Sequence, residues 1–275
     1  FDTAVRSYIK TYTVRKREHS ETMLGRTVIY FPLFEKLLLE SGLPTDLKYL
    51  SVVESALNAQ AVSRSGAVGL WQFMKPTGRE CGLSINSTID ERKDPEKATR
   101  AAIQYLAQQY RRYGNWELAL AAYNGGAGRV NRAIKRGRSK NFWKIRKHLP
   151  RETRNYVPAY IAATYINHFY DAHDLRPVYP DADFQTTSTI KVYNTLTFTE
   201  LEAITGTSRY VIEFLNPAYK KDYIPASIDG NYLVLPQDKM AIFQNVYQLP
   251  DSGNRQYLVG ERIEAPRYTA KSLLV

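Results

Sequence analysis

LPTDLKYLSVVESALNAQAVSRSGAVGLWQFMKPT, residues 43–77, is the stretch on which the reading of this chain turns. Pro44 can occupy a helix's first turn, where its missing N–H costs nothing. Leu43, Leu47, Leu50, Glu54 and Leu57 follow at spacings of four, three, four and three, which is one stripe of a helix. A carboxylate on the stripe that should face a core is the strongest local anomaly in the chain. Burial there would favour the neutral acid and raise its pKa. A carboxyl that keeps its proton near neutral pH can serve as a general acid. The competing reading puts Glu54 at the stripe's edge, solvated or paired with an arginine.

The residues after Glu54 favour a site. Ser55, Asn58 and Ser63 are small and polar, and Gly66 and Gly69 allow backbone or ligand to come close. Gln72 offers a donor and an acceptor to a neutral polar substrate, and Trp71 and Phe73 offer flat apolar faces. A tight helix–turn–helix joint with ordinary packing is the alternative.

Glu54-Ser55-x-x-Asn58, Ser63, then Gly66-Ala-x-Gly69-Leu-x-Gln72-x-Met74-x-Pro76-Thr77 resembles the catalytic domain of the soluble lytic transglycosylases, enzymes that cleave bacterial peptidoglycan. The likeness covers about residues 25–170. It implies a lysozyme-like helical domain over residues 1–175. It also implies one catalytic acid, Glu54. Glu54 protonates the glycosidic oxygen, then as carboxylate takes the proton from the muramic acid 6-hydroxyl, which attacks the anomeric carbon. The product is a 1,6-anhydromuramoyl end. Ala122-Tyr123-Asn124-x-Gly126 and Glu152-Thr153-x-x-Tyr156-Val157 are further pieces of the same pattern. By that resemblance Ser63, Gln72, Tyr123, Asn124, Glu152 and Tyr156 bind substrate or shape the site. The partner implied is the peptidoglycan glycan strand, with no metal and no cofactor. The place implied is the periplasm, and the likeness leaves room for an outer-membrane anchor carried by a segment ahead of Phe1.

Composition sets the outer bounds. A chain of 275 residues with 44% apolar content can bury a large core. No apolar run is long enough to cross a bilayer as a helix. The lone cysteine, Cys81, cannot form an internal disulfide and reads as a small buried residue. Residues 181–275 hold 9 Lys and Arg against 11 Asp and Glu, a net −2, which leaves residues 1–180 with 29 against 16, a net +13. The basic part calls for an anionic partner. Peptidoglycan, with its carboxylates, fits, and so would nucleic acid, but no nucleic-acid motif is present.

Along the chain, residues 1–24 are polar and basic and read as a frayed or surface helix. Val28–Leu39 is helical in period and ends at Ser41-Gly42. Residues 78–94 read as a loop near the site, with Asp90, Glu91, Asp94 and Glu96 as caps and solvated charges. Asp94-Pro95-Glu96 starts a helix that runs to about Tyr113. Trp116–Gly125 is a short helix closed by glycines, and it follows a helix rather than a strand, which rules out a dinucleotide loop. Residues 129–154 carry a dense run of Lys and Arg, and residues 156–170 read as a core helix.

Residues 171–190 form the boundary, and 185–250 a small α+β domain: a strand at Ile190, helices Phe198–Thr205 and Arg209–Leu215, and a strand at Tyr232–Pro236. That order, with Thr205-Gly-Thr-Ser208 and Leu215-Asn-Pro217, resembles a LysM carbohydrate-binding module. Tyr193-Asn194-Thr195 replaces the module's usual Gly-Asp turn, so a glycan-binding unit and a structural appendage both stay open. Residues 251–275 read as a tail. The expected fold class is therefore mainly α, with a small α+β LysM-like domain after it.

Most glycosidases use two carboxylates. Glu80, Asp90 and Glu152 are the candidate seconds, none with the context of Glu54. The competing functions are a goose-type lysozyme hydrolase, a non-catalytic glycan-binding protein and a nucleic-acid binder. His19, His148, His168 and His173 lack metal-ligand spacing.

Overall fold

The computed structural model describes residues 2–247. The tail expected over 251–275 and the end of the small domain at 248–250 lie outside the described residues.

The N-terminal segment is α1 (Thr3–Lys10), a π-helical turn (Thr11–Arg15) and α2 (Arg17–Glu40), broken only at Lys16. It is neither frayed nor superficial. Val5, Met23 and Leu24 are buried, and α1 packs on a late helix, a tertiary contact that local composition does not announce. Gly42 takes the left-handed turn (φ 66°) that closes α2. A 3₁₀ turn, Thr45–Lys48, leads into α3 (Tyr49–Ser55), and α4 (Lys75–Glu80) follows a bridged loop. In α5 (Pro95–Tyr113), Asp94 caps the N-terminus by accepting from Lys97 N, and Gly114 closes the other end. Next come α6 (Trp116–Gly125), α7 (Ala127–Gly137), α8 (Phe142–Ile145) and α9 (Arg151–Phe169). Helices α1, α3 and α6 all pack on α9, and α5 packs on α2 and α6. Phe34, Leu38, Leu50, Leu57, Leu70, Trp71 and Leu106 lie at the centre of this core. Each such side chain contributes roughly 1.5–3 kcal/mol by leaving water.

The second unit begins with α10 (Ala182–Gln185) and β1 (Thr187–Val192). A short strand β2 (Leu196–Thr197) precedes α11 (Phe198–Thr205), and α12 (Arg209–Leu215), β3 (Tyr223–Ile224), β4 (Asn231–Pro236) and α13 (Gln237–Tyr247) follow. β1 pairs antiparallel with β4, from Thr187↔Pro236 to Val192↔Asn231, and β2 pairs with β3. α11 starts with a full capping box between Thr197 and Glu200. Ile190, Val192, Phe198, Leu201, Ile212, Leu233, Leu235 and Phe243 form a separate core. The chain is thus mainly α with a small α+β unit after the helical one.

The two units touch. Between them the chain lies on α2: Val178 N donates to Glu21 O at 3.0 Å, and a Cβ on Gly25 would fall 1.6 Å from Val178 O. Ile29 of α2 packs against Phe184, Val211 and Leu215. Most of the 82–91 loop faces the small unit rather than the helical unit's cleft, contrary to the expectation that it lies near the site.

Candidate active site

Glu54 is the penultimate residue of α3. The helix ends there because Ala56 (φ 50°) and Leu57 (φ 58°) both turn left-handed. Such non-glycine residues cost of order 1–3 kcal/mol each and persist only when neighbours hold them. Here Arg26 Nη1 donates to Ala56 O at 3.2 Å, and Ser55 Oγ donates to Leu70 O at 3.0 Å. The expected stripe therefore stops at Glu54, and Leu57 reaches the core from the turn, not from a helix face.

A trench of about 1150 Å³ opens over Glu54. Glu54, Ser63, Gln72, Tyr123, Asn124, Glu152 and Tyr156 all line it, brought from α3, the bridged loop, α6 and α9. Tyr156 Oη donates a hydrogen bond to Glu54 Oε1. Burial is the largest influence on the Glu54 carboxyl and raises its pKa; the Tyr156 bond lowers it, and the nearby Glu152 charge raises it, leaving it pushed up to about 7. Among the described residues no ion pair reaches Glu54. Burial and then the Glu54 charge hold the Tyr156 phenol well above its usual range, so it remains a donor. Tyr123, raised by the same two causes, donates to Trp71 O at 2.7 Å.

The remaining lining groups are already partly engaged. Ser63 Oγ accepts from Ala67 N at 2.9 Å, which leaves its own proton to give. Gln72, at φ 49°, donates through Nε2 to Gly69 O at 2.8 Å and to Ala61 O at 3.3 Å. The donor half of its amide is thus committed to the loop. Asn124 Nδ2 donates to Glu152 Oε1 at 3.0 Å, and its Oδ1 accepts from Thr153 Oγ1 at 2.9 Å. Gly125 permits that contact, since a Cβ there would lie 2.6 Å from Thr153 Oγ1.

Several expectations are corrected. Trp71 is fully buried and donates from Nε1 to Thr99 Oγ1 at 2.8 Å, so it cannot stack on a ligand. Phe73 lines the trench but is 3% exposed, which leaves almost no ring surface for a sugar to stack on. Glu80 is exposed on α4, outside the trench. Asp90 and Glu91 are buried and paired with Arg92 and Lys97 instead of solvated. Cys81 is only half-buried. Of the candidate second carboxylates, Glu152 alone lines the trench.

The reading by spacing missed Tyr8 and Tyr12, which reach the trench from the N-terminal segment, and also Tyr105 and Asn155. The i, i+4 spacing of Tyr8 and Tyr12 was the one available sign that the segment has an aromatic face. Arg129 and Arg151 from the basic run also line the trench. A carboxyl that titrates near neutrality beside a permanent phenol donor can give a proton and take one back.

Comparison with known proteins gives a family match for each of the two units. The family described as "Transglycosylase SLT domain" matches residues 34–146, and "Lytic transglycosylase MltD, LysM-like domain" matches residues 186–252. Membrane-bound lytic murein transglycosylase D of Escherichia coli is 35% identical over 162 residues, 57% of this chain and 33% of that protein. Membrane-bound lytic murein transglycosylase F of Alcanivorax borkumensis is 31% identical over 139 residues, 46% of this chain and 28% of that protein. The solved lytic transglycosylase Slt of Pseudomonas aeruginosa, an inactive mutant, is 28% identical with a TM-score of 0.44, covering 54% of this chain and 25% of that one. The chain spans about a third of the length of the Escherichia coli relative. It carries a transglycosylase SLT domain followed by a LysM-like domain, and by these two domains it is a homologue of the membrane-bound lytic murein transglycosylases.

Proposed function

We propose that the protein is a peptidoglycan lytic transglycosylase that cuts the β-1,4 bond between N-acetylmuramic acid and N-acetylglucosamine without consuming water. The observation that carries this reading is the Glu54 carboxyl, lifted to about 7 in a trench where, among the described residues, no cation pairs with it. Glu54 gives its proton to the glycosidic oxygen as the C–O bond breaks. The resulting carboxylate accepts the proton of the muramic acid 6-hydroxyl, whose oxygen closes on the anomeric carbon. The proton count balances, and the acid is restored for the next cycle. Tyr156 stabilises the carboxylate stage by its hydrogen bond. Ser63, Gln72, Tyr123, Asn124 and Glu152 orient the strand, and Arg129 and Arg151 meet its carboxylates. In this reading residues 1–175 are the catalytic unit, residues 185–250 the LysM-like unit, and the site of action is the periplasmic wall.

Glu152, as a second carboxylate in the trench, favours one alternative, hydrolysis with an activated water. Mass spectrometry of digested peptidoglycan separates the two, because hydrolysis adds one water per cut. Wild type should release anhydromuramoyl ends. Glu54→Gln keeps an acceptor for Tyr156 but has no proton to give, and should lower release by about 10³-fold or more. Equal turnover by both proteins would end the proposal.

A further inference from the structure

The helical and LysM-like units meet through backbone. Asp90 N donates to Ala218 O at 2.8 Å, and Lys220 N donates to Thr88 O at 2.8 Å. Ile89 and Tyr219 form an antiparallel bridge between these bonds, and Lys220 Nζ donates to Asn86 O at 3.0 Å. A ladder of main-chain bonds fixes register whatever the side chains are.

Asp90, the last rung of this ladder, is also one half of a buried ion pair with Arg92. Arg92 Nε donates to Asp90 Oδ1 at 2.9 Å and Nη2 to Asp90 Oδ2 at 2.7 Å, with both side chains under a tenth exposed. The third nitrogen, Nη1, donates to Gly66 O and to Phe73 O, each at 3.1 Å. Those two carbonyls bracket the turn whose residues Ala67, Gln72 and Phe73 line the trench. Gly69 sits against the same support, since a Cβ there would lie 1.8 Å from Arg92 O. One rigid guanidinium thus ties the carboxylate of Asp90, a residue whose backbone N–H is bonded to the neighbouring unit, to two carbonyls of the trench wall. A lysine ammonium, a point charge, could not span all three with the same geometry. Among the described residues none of these bonds reaches Glu54, which takes its support from α3 and Tyr156.

We infer that the LysM-like unit sets the position of the substrate-binding wall at residues 66–73, acting through residues 88–90 and the Asp90–Arg92 pair. Asp90 and Arg92 are positioning residues and touch no substrate. The unit is then a brace for the trench, whatever else it binds.

The test uses the full chain and reads amide hydrogen exchange. Val68, Gly69 and Phe73 all donate backbone bonds within the wall, to Phe73 O, Ala61 O and Val68 O, so their protection reports its order. Arg92→Gln should speed exchange at these amides by about tenfold or more while residues 49–55 stay as in wild type. Lys220→Pro, which deletes the N–H given to Thr88 from the other unit, should do the same to a lesser degree. Lys220→Ala, which keeps that N–H, should change little, and Arg92→Lys should fall between wild type and Arg92→Gln. Unchanged wall exchange in Arg92→Gln and Lys220→Pro would overturn the inference. Loosening spread evenly over residues 49–55 would overturn it as well.

A second readout rests on the proposed function. On solubilised glycan strands, Arg92→Gln should raise KM about tenfold and leave kcat and its pH profile in place, the mark of lost uniform binding. A lowered kcat at unchanged KM would mean only fewer folded molecules, and would sink the positioning role. If wild type releases no product, the proposed function fails, and the exchange result still decides the coupling.

Discussion

Glu54 and Asp90 are both carboxylates drawn out of water, 36 positions apart, and burial pushes both pKa values upward. Asp90 nevertheless ends below the usual range, because Arg92 supplies a bidentate partner that outweighs burial. Among the described residues Glu54 has only a neutral phenol as its hydrogen-bond partner, and it ends at about 7. The difference teaches that burial alone does not set what a buried acid does. A cation within reach keeps a buried acid ionised as a structural strut, and without one the acid holds its proton up to near-neutral pH.

The sharpest way to break this contrast is to neutralise each acid in turn. Asp90→Asn leaves the Arg92 charge buried without its partner and should cost about 3–5 kcal/mol in denaturant unfolding. Glu54→Gln strands no charge, and should leave stability unchanged or raise it. Equal losses in the two variants would mean that the contrast is misread.

The two groups should also impose opposite pH slopes. The folded-state pKa of Glu54 lies above the ordinary glutamate value of 4.5, so its stabilising share is complete below that value and disappears as pH rises through about 7. Asp90 is depressed below 3.8, so its share is present above that value and lost as pH falls further. Urea midpoints taken across pH 3–8 should therefore lose the decline between about 5 and 7 in Glu54→Gln, and keep it in Asp90→Asn. Tyr156→Phe removes the hydrogen bond that favours the charged form. Its activity should stay high to a more alkaline pH than that of wild type, and a shift the other way would contradict the assigned cause.

The smallest effect belongs to an exposed pair. Arg100 and Glu96 meet at 2.9 Å, with the Arg100 side chain 56% exposed. Arg100→Ala should cost less than about 0.5 kcal/mol, measured by the same unfolding curves. A loss comparable to that of Asp90→Asn would show that partner identity matters more than burial.

What could be read from sequence was locally punctuated. Asp94-Pro95 opens α5, Gly125 and Gly126 close α6, and Ser41-Gly42 ends α2. Caps act over three or four residues, so they are visible without a fold. The N-terminal helices were misjudged because what buries Val5 is α9, some 150 residues away. Trp71 looked like a sugar platform because an aromatic beside glycines suits either role, and only its bond to Thr99 decides. The early stop of α3 depends on left-handed Ala56 and Leu57, which no propensity favours. Asp90 was read as solvated because its partner lies two residues on, a spacing that no helix or turn rule pairs. Glu54 was legible for the opposite reason: its anomaly lies in the stripe itself, and needs no distant partner.

The short bridge between Ile89 and Tyr219 bears on how such chains can be recombined. A chimera that takes its front half from one homologue and its back half from another would have to exchange residues 86–92 and 216–220 as a matched set. With mismatched halves, both parts could fold and the cleft would still be out of shape.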